Sequence, residues 1–124
     1  MHIQTQIEGA VAELDIYRVN ADCRTEYRGR VSLDKPRVEI GISGDGLYYL
    51  DFLFVSKAFL SPSVSVVRYD TLLQPRRDRR YDVRARYVDS IYSVVIREVA
   101  PGGSTGREIE RAGLGDCGKS GRNN

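Results

Sequence analysis

The strongest constraint on this chain lies between Tyr69 and Val99. Tyr81, Val83, Ala85 and Tyr87 occupy alternate positions there, and Asp82, Arg84 and Arg86 fill the gaps. Side chains alternate faces along an extended strand, so this spacing predicts one apolar face and one charged face. Asp89-Ser90 interrupts the pattern, and Ile91 to Val99 restarts it with β-branched residues that favour a pleated backbone. Two such runs with a tight connection predict an antiparallel hairpin.

The rest of the chain carries the same kind of signal. Residues 6 to 19 read as a first strand whose apolar parity slips, from Ile7 and Val11 to Leu14 and Ile16 and back to Tyr17 and Val19. Slippage of that kind suggests a bulge, or a bend where one strand serves two sheets. A second strand places Cys23, Thr25, Tyr27, Gly29, Val31 and Leu33 inward, with Arg24, Glu26, Arg28 and Arg30 outward. Val38, Ile40 and Ile42 form a third, closed by the turn Ser43-Gly44-Asp45-Gly46. Leu47 to Val55 is apolar on both parities except at Asp51, which predicts a central strand. Ser56 to Ser63 reads as a loop in which Phe59 and Leu60 either plug the end of the domain or contact a partner. Val64, Val66 and Val67 start a fifth strand, and the hairpin supplies the sixth and seventh.

Seven short strands separated by turn signals predict an all-β fold. The expected architecture is a seven-stranded antiparallel Greek-key sandwich of immunoglobulin or transthyretin type, over residues 1-100. Residues 101-124 are expected to form a flexible, Gly-rich C-terminal tail. Within it, Thr105 to Ala112 has the spacing of two helical turns, with Thr105 as cap and Glu108 three residues on.

Two resemblances sharpen this. Leu73-Gln74-Pro75 followed by Tyr81-x-Val83-x-Ala85 resembles the corner of fibronectin type III and other immunoglobulin-like sandwiches. That resemblance implies that Tyr81 is the corner tyrosine, whose hydroxyl bonds back to the turn backbone. Arg68-Tyr69-Asp70, with Arg80-Tyr81-x-Val83-x-Ala85-Arg86, resembles the pilotin-like periplasmic lipoproteins of type III secretion.

The net charge of +2 makes any basic character local. There is no run of about 18 apolar residues, the length of a membrane-crossing helix, and no signal-peptide pattern follows Met1. Two cysteines, Cys23 and Cys117, leave two readings: a disulfide formed in an oxidising compartment, or two unrelated thiols. If bonded, they would tie the tail to the sandwich and close a loop worth about 4 kcal/mol in chain entropy. The protein is accordingly expected to be periplasmic or secreted, or cytoplasmic if Met1 is its native start.

Three patterns touch on chemistry. Gly113-Leu114-Gly115-Asp116-Cys117-Gly118-Lys119-Ser120 matches a phosphate-binding loop letter by letter. That loop needs a strand before it and a helix after it, and only four residues follow, so a Gly-rich tail is the better reading. Arg76, Arg77, Arg79, Arg80, Arg84 and Arg86 put six guanidinium groups into eleven residues. They are suited to carboxylates and phosphates, but Asp70, Asp78, Asp82 and Asp89 lie among them, which favours a solvated, internally paired face. The only histidine, His2, lies at an end expected to be mobile, which argues against a catalytic triad or a histidine-ligated metal. Asp51 is expected to be salt-bridged to an arginine, and a glycosidase-like carboxylate pair stays open because such groups meet only in the fold. No cofactor and no catalytic residue are assigned.

The function expected is therefore non-catalytic. An exported or envelope-associated domain would bind another protein through a sheet face or its end loops. Phe59, Leu60, Arg76, Arg77, Arg79 and Arg80 are the candidate contacts. The alternative is a polyanion binder that takes nucleic acid or acidic polysaccharide on the Arg76 to Arg86 cluster.

Overall fold

The computed structural model describes residues 1–57, 64–103 and 105–118. Its strands, in chain order, are β1 (His2–Ile7), β2 (Val11–Val19), β3 (Thr25–Ser32), β4 (Arg37–Glu39), β5 (Leu47–Lys57), β6 (Val64–Leu73), β7 (Arg80–Val88), β8 (Ile91–Val99) and β9 (Arg107–Glu108). They form two sheets, ordered β4-β1-β7-β8-β9 and β3-β2-β5-β6. Every pairing is antiparallel except β1 with β7. No helix among the described residues is long and apolar enough to cross a membrane.

The inward faces meet in one apolar layer. Leu14, Ile16, Leu50, Phe52 and Phe54 come from the four-stranded sheet, and Ile3, Val83, Ala85 and Ile96 from the five-stranded one. Burying a side chain of this size contributes about 1.5–3 kcal/mol. The Phe54 and Tyr87 rings stack across the layer at 5.9 Å between centroids. Asp89 and Ser90 both take positive φ, 54° and 63°, in the tight turn that returns β7 into β8.

The described strands number nine rather than seven. The first expected strand is in fact two, because Gly9, at φ 73°, turns the chain from β1 in one sheet to β2 in the other. The slip between Ile7 and Leu14 spans this change of sheet, whereas Tyr17 and Val19 lie on the other parity of β2 itself, whose register with β5 is unbroken. The alternation Ile3, Thr5, Ile7 completes β1, and Ile3 is fully buried.

A bulge corrects the inward list for β3. The register runs Ile16↔Gly29 and then Tyr17↔Tyr27, so Arg28 is the extra residue. Beyond it the faces exchange, and Tyr27 stands outward and exposed against Tyr17 rather than in the core.

The second extra strand lies in the expected tail. Residues 107–108 pair with β8, and the Ile109 N–H donates to the Ile96 carbonyl at 2.8 Å. The helical turns expected over 105–112 do not form. A two-turn helix makes few internal hydrogen bonds, whereas the open edge of β8 offers partners to an extended chain. The chain continues to the edge of β6, where the Leu72 N–H donates to the Ala112 carbonyl at 2.8 Å. A 3-10 turn at Leu114–Asp116 follows. Cys117 is then disulfide-bonded to Cys23 in the β2–β3 turn, with Cα atoms 5.8 Å apart. Through Gly118 the tail is therefore a strap, not a loose end.

Candidate functional site

Strand pairing assembles the charged face of the five-stranded sheet. On β7, Arg80, Asp82, Arg84 and Arg86 share the outward parity opposite the buried Tyr81, Val83, Ala85 and Tyr87. The register aligns Glu39, His2, Asp82 and Arg97 in one row across β4, β1, β7 and β8. Arg37, Gln4, Arg84 and Val95 form the next row. Together the rows line a cleft of about 850 Å³.

Its charges are unevenly paired. Arg80 holds Asp82 at 3.3 Å, and His2 Nε2 lies 3.9 Å from Glu39 Oε1. Arg37, Arg84 and Arg97 have no carboxylate within 4.0 Å among the described residues. Three guanidinium groups thus line one concavity with no salt bridge to a described residue, although Glu39 and Asp82 share it. Such forks make strong, short bonds to carboxylate and phosphate oxygens.

The segment from Arg76 to Arg79 is a separate structure at the end of the sandwich. The buried Tyr81 hydroxyl accepts a hydrogen bond from the Arg76 N–H at 2.8 Å and donates to Glu98 at 2.9 Å. Burial pushes the Tyr81 hydroxyl above the usual phenol range. Arg79 is half-buried between Asp78 at 2.9 Å and Glu98 at 3.6 Å. Arg77 reaches Asp45 at 3.9 Å. Gly44 packs so closely here that a Cβ would lie 2.7 Å from the Arg77 Cα.

A carboxylate row crosses the outward face of the four-stranded sheet. Asp15, Asp51 and Asp70 are direct neighbours on β2, β5 and β6. Arg30 grips Asp15 at 2.8 and 3.0 Å and holds its carboxyl below the usual range. Asp70 accepts from the Tyr49 hydroxyl and from Arg111, and is lowered likewise. Asp51, between them, is 8% exposed and is raised by its burial. Its Oδ1 has no hydrogen-bond partner among the described residues, so the expected salt bridge to an arginine is absent there. No group of three or more His, Cys, Asp or Glu among the described residues is arranged to hold a metal ion.

No protein-family model matches the chain, and no curated protein matches it. Among solved structures, it is similar to sea bream transthyretin in complex with thyroxine. The identity is 15%, the TM-score is 0.49, and the alignment covers 84% of this chain and 98% of that one.

The arginine cluster of the sequence is therefore divided. Arg80 and Arg84 enter the cleft, Arg86 lies further along the same outward face, and Arg76, Arg77 and Arg79 belong to the corner. Phe59 and Leu60 lie outside the described residues, as do Lys119 and Ser120 of the phosphate-loop pattern. Cys117, inside that pattern, is held in the disulfide. His2 sits between two paired strands, so the expectation of a mobile end is corrected. Sequence reasoning missed Gln4, Arg37 and Arg97 as site residues. The outward parity of His2, Gln4 and Gln6 was visible, but which strands flank it depends on a parallel pairing across about eighty residues.

Proposed function

We propose that this domain is a non-catalytic binding module whose five-stranded sheet receives an acidic segment of another protein on its outward face. The observation that carries the reading is the presence of Arg37, Arg84 and Arg97 in one cleft without carboxylate partners among the described residues. A carboxylate seated there would gain charge-assisted hydrogen bonds from guanidinium groups held in place by a rigid sheet. Glu39 and Asp82 share the cleft, which argues for a partner of mixed charge. A uniform polyanion would bring phosphates or sulfates against both carboxylates. The Cys23–Cys117 bond supports an exported protein, since such bonds persist in oxidising compartments. The hydrogen bond from Arg76 to Tyr81 supports reading Tyr81 as a corner tyrosine that holds β7 in place beneath the cleft.

The test is a titration with three probes: a fluorescein-labelled peptide alternating Asp with Lys and Leu, heparin, and single-stranded oligo-dT. The peptide should bind, and Arg37→Ala with Arg84→Ala should weaken it by about tenfold or more, the loss of one or two charge-assisted bonds. Both side chains are exposed, so thermal stability should hardly change. Tighter binding of heparin or oligo-dT, with a steep salt dependence, would instead favour the polyanion reading.

A further inference from the structure

Among the described residues, the outer edge of β6 is used along only half its length. β6 ends the four-stranded sheet, and its register with β5 runs unbroken from Val64 to Leu73. The Leu72 N–H points away from β5 and is taken by the Ala112 carbonyl. A residue's N–H and C=O share a side of the strand and alternate from one residue to the next. Val64, Val66, Arg68 and Asp70 therefore present their backbone groups to that same edge. The strap occupies the end of it, with Arg111 on Asp70 at 2.8 Å and the Ala112 N–H on the Thr71 hydroxyl at 3.1 Å. No described residue makes a backbone hydrogen bond to the edge at Val64, Val66 or Arg68.

The side chains around that stretch are apolar and then basic. Val11, Val55 and Val66 form one row across β2, β5 and β6. Val11 is 58% exposed, Val64 52% and Val66 54%. Arg68 follows, with no carboxylate within 4.0 Å among the described residues. Three other strands offer poorer edges, and the stretch of β8 at Ile91–Val95, unpaired on its outer side among the described residues, carries no basic residue to select an acidic partner. β4 has three residues and β9 two, and β3 carries Glu26, Arg28 and Arg30. Short or charged edges resist added strands, whereas a long apolar edge invites one.

We infer that Val64 to Arg68 is a docking edge for an extended segment of a partner polypeptide, apolar at the two positions facing Val64 and Val66 and acidic at the position facing Arg68. Main-chain bonds would supply affinity, and the alternating side chains specificity. The strap already shows that this edge takes an extended chain, and the partner would continue the line it begins. A second copy fits less well: antiparallel self-pairing about Val66 sets Val64 opposite Arg68 and leaves both arginines without an acid. The proposal is independent of the cleft on the other sheet.

The probe is a synthetic heptapeptide of sequence Thr-Glu-Thr-Val-Thr-Val-Thr, capped at both ends. Its addition should slow amide hydrogen exchange at Val64, Val66 and Arg68. The same peptide N-methylated at alternate residues should not. Val66→Pro removes an outward donor while the bonds of Ser65 and Val67 to β5 remain, and edge strands accept proline. It should weaken binding by about tenfold or more with little change in the circular dichroism spectrum. Arg68→Glu should reverse the preference toward a peptide with Lys in place of Glu. Equal binding to wild type and Val66→Pro would overturn the proposal, as would no binding at millimolar peptide. Protection mapped to the Arg37–Arg84 cleft would overturn it too, and so would a dimer of the free protein that Val66→Pro dissolves.

Discussion

Asp15 and Asp51 face each other across the β2–β5 ladder, and their carboxyl groups are driven in opposite directions. Arg30 and Tyr27 bond Asp15 and hold its carboxyl down, while burial beside Asp15 and Asp70 raises Asp51 against the opposing pull of Arg68. The folded state thus holds the Asp51 proton more tightly than the unfolded chain does. Its contribution to stability is fully present below the unfolded value of about 3.9 and is lost as pH rises through the folded value. Asp15 and Asp70 act the other way, stabilising above the ordinary range and losing that effect as pH falls through their folded values. Asp51→Asn, whose amide can donate to the flanking carboxylates, should therefore stabilise the protein by about 1 kcal/mol at pH 7. Urea unfolding at pH 7 and at pH 3 checks this, and a gain that persists in full at pH 3 would mean that charge is not the cause.

Tyr81→Phe should cost about 1–2 kcal/mol. It leaves the Arg76 N–H without its acceptor and takes a donor from Glu98, which is nearly covered by its neighbours. Chemical denaturation measures the loss. An unchanged midpoint would show that the corner is held by packing alone.

Reduction, or Cys23→Ser with Cys117→Ser, should destabilise the fold by about 4–5 kcal/mol from the entropy of the opened loop. The separation in sequence is 94 residues. Hydrogen exchange should accelerate first at Leu72, whose N–H is held by the strap. Intact mass before and after alkylation under native and reducing conditions reports the bond directly.

Two glycines of one turn should differ when changed to alanine. At Gly44 the new methyl would meet the Arg77 main chain at 2.7 Å, and backbone cannot easily give way. At Gly46 its nearest contacts would be the Arg18 guanidinium, the movable end of a side chain resting on the Tyr48 ring. Gly44→Ala should cost about 1–3 kcal/mol and Gly46→Ala less. Paired melting curves decide it, and equal losses would refute the distinction.

Strong alternation made much of the fold legible. Tyr81 to Tyr87, Ile91 to Val99 and Leu47 to Val55 all lie in strands, Tyr81 to Tyr87 with the expected buried parity and Leu47 to Val55 at the expected inner position of its sheet, because runs this strong need no distant information to show them. What escaped depended on partners far away in sequence. The bulge at Arg28 exists because Tyr17 pairs with Tyr27, and nothing local to β3 announces it. Thr105 to Ala112 has the cap spacing of a short helix, and Arg107–Glu108 within it becomes a strand because β8 offers it an edge. The cleft was half visible: Arg80 and Arg84 stand out in one strand, whereas Arg37 and Arg97 join them only through strand order. Of six arginines close in sequence, two enter the cleft, three belong to the corner, and Arg86 lies further along the outward face.

The bond between Cys23 and Cys117 also decides how the molecule bears tension. It makes a covalent ring containing β3 through β9 and leaves β1 and β2 outside. A load entering at Met1 and leaving beyond Cys117 would pass through the sulfur atoms and could unravel only the first 22 residues, a contour of roughly 80 Å. Because β1 is clamped between β4 and β7, even that short length must be sheared free before it pays out. The remaining seven strands lie inside the ring, off the covalent force path, but each sheet would lose an inner strand, and the cleft its His2 and Gln4, once that length is drawn out.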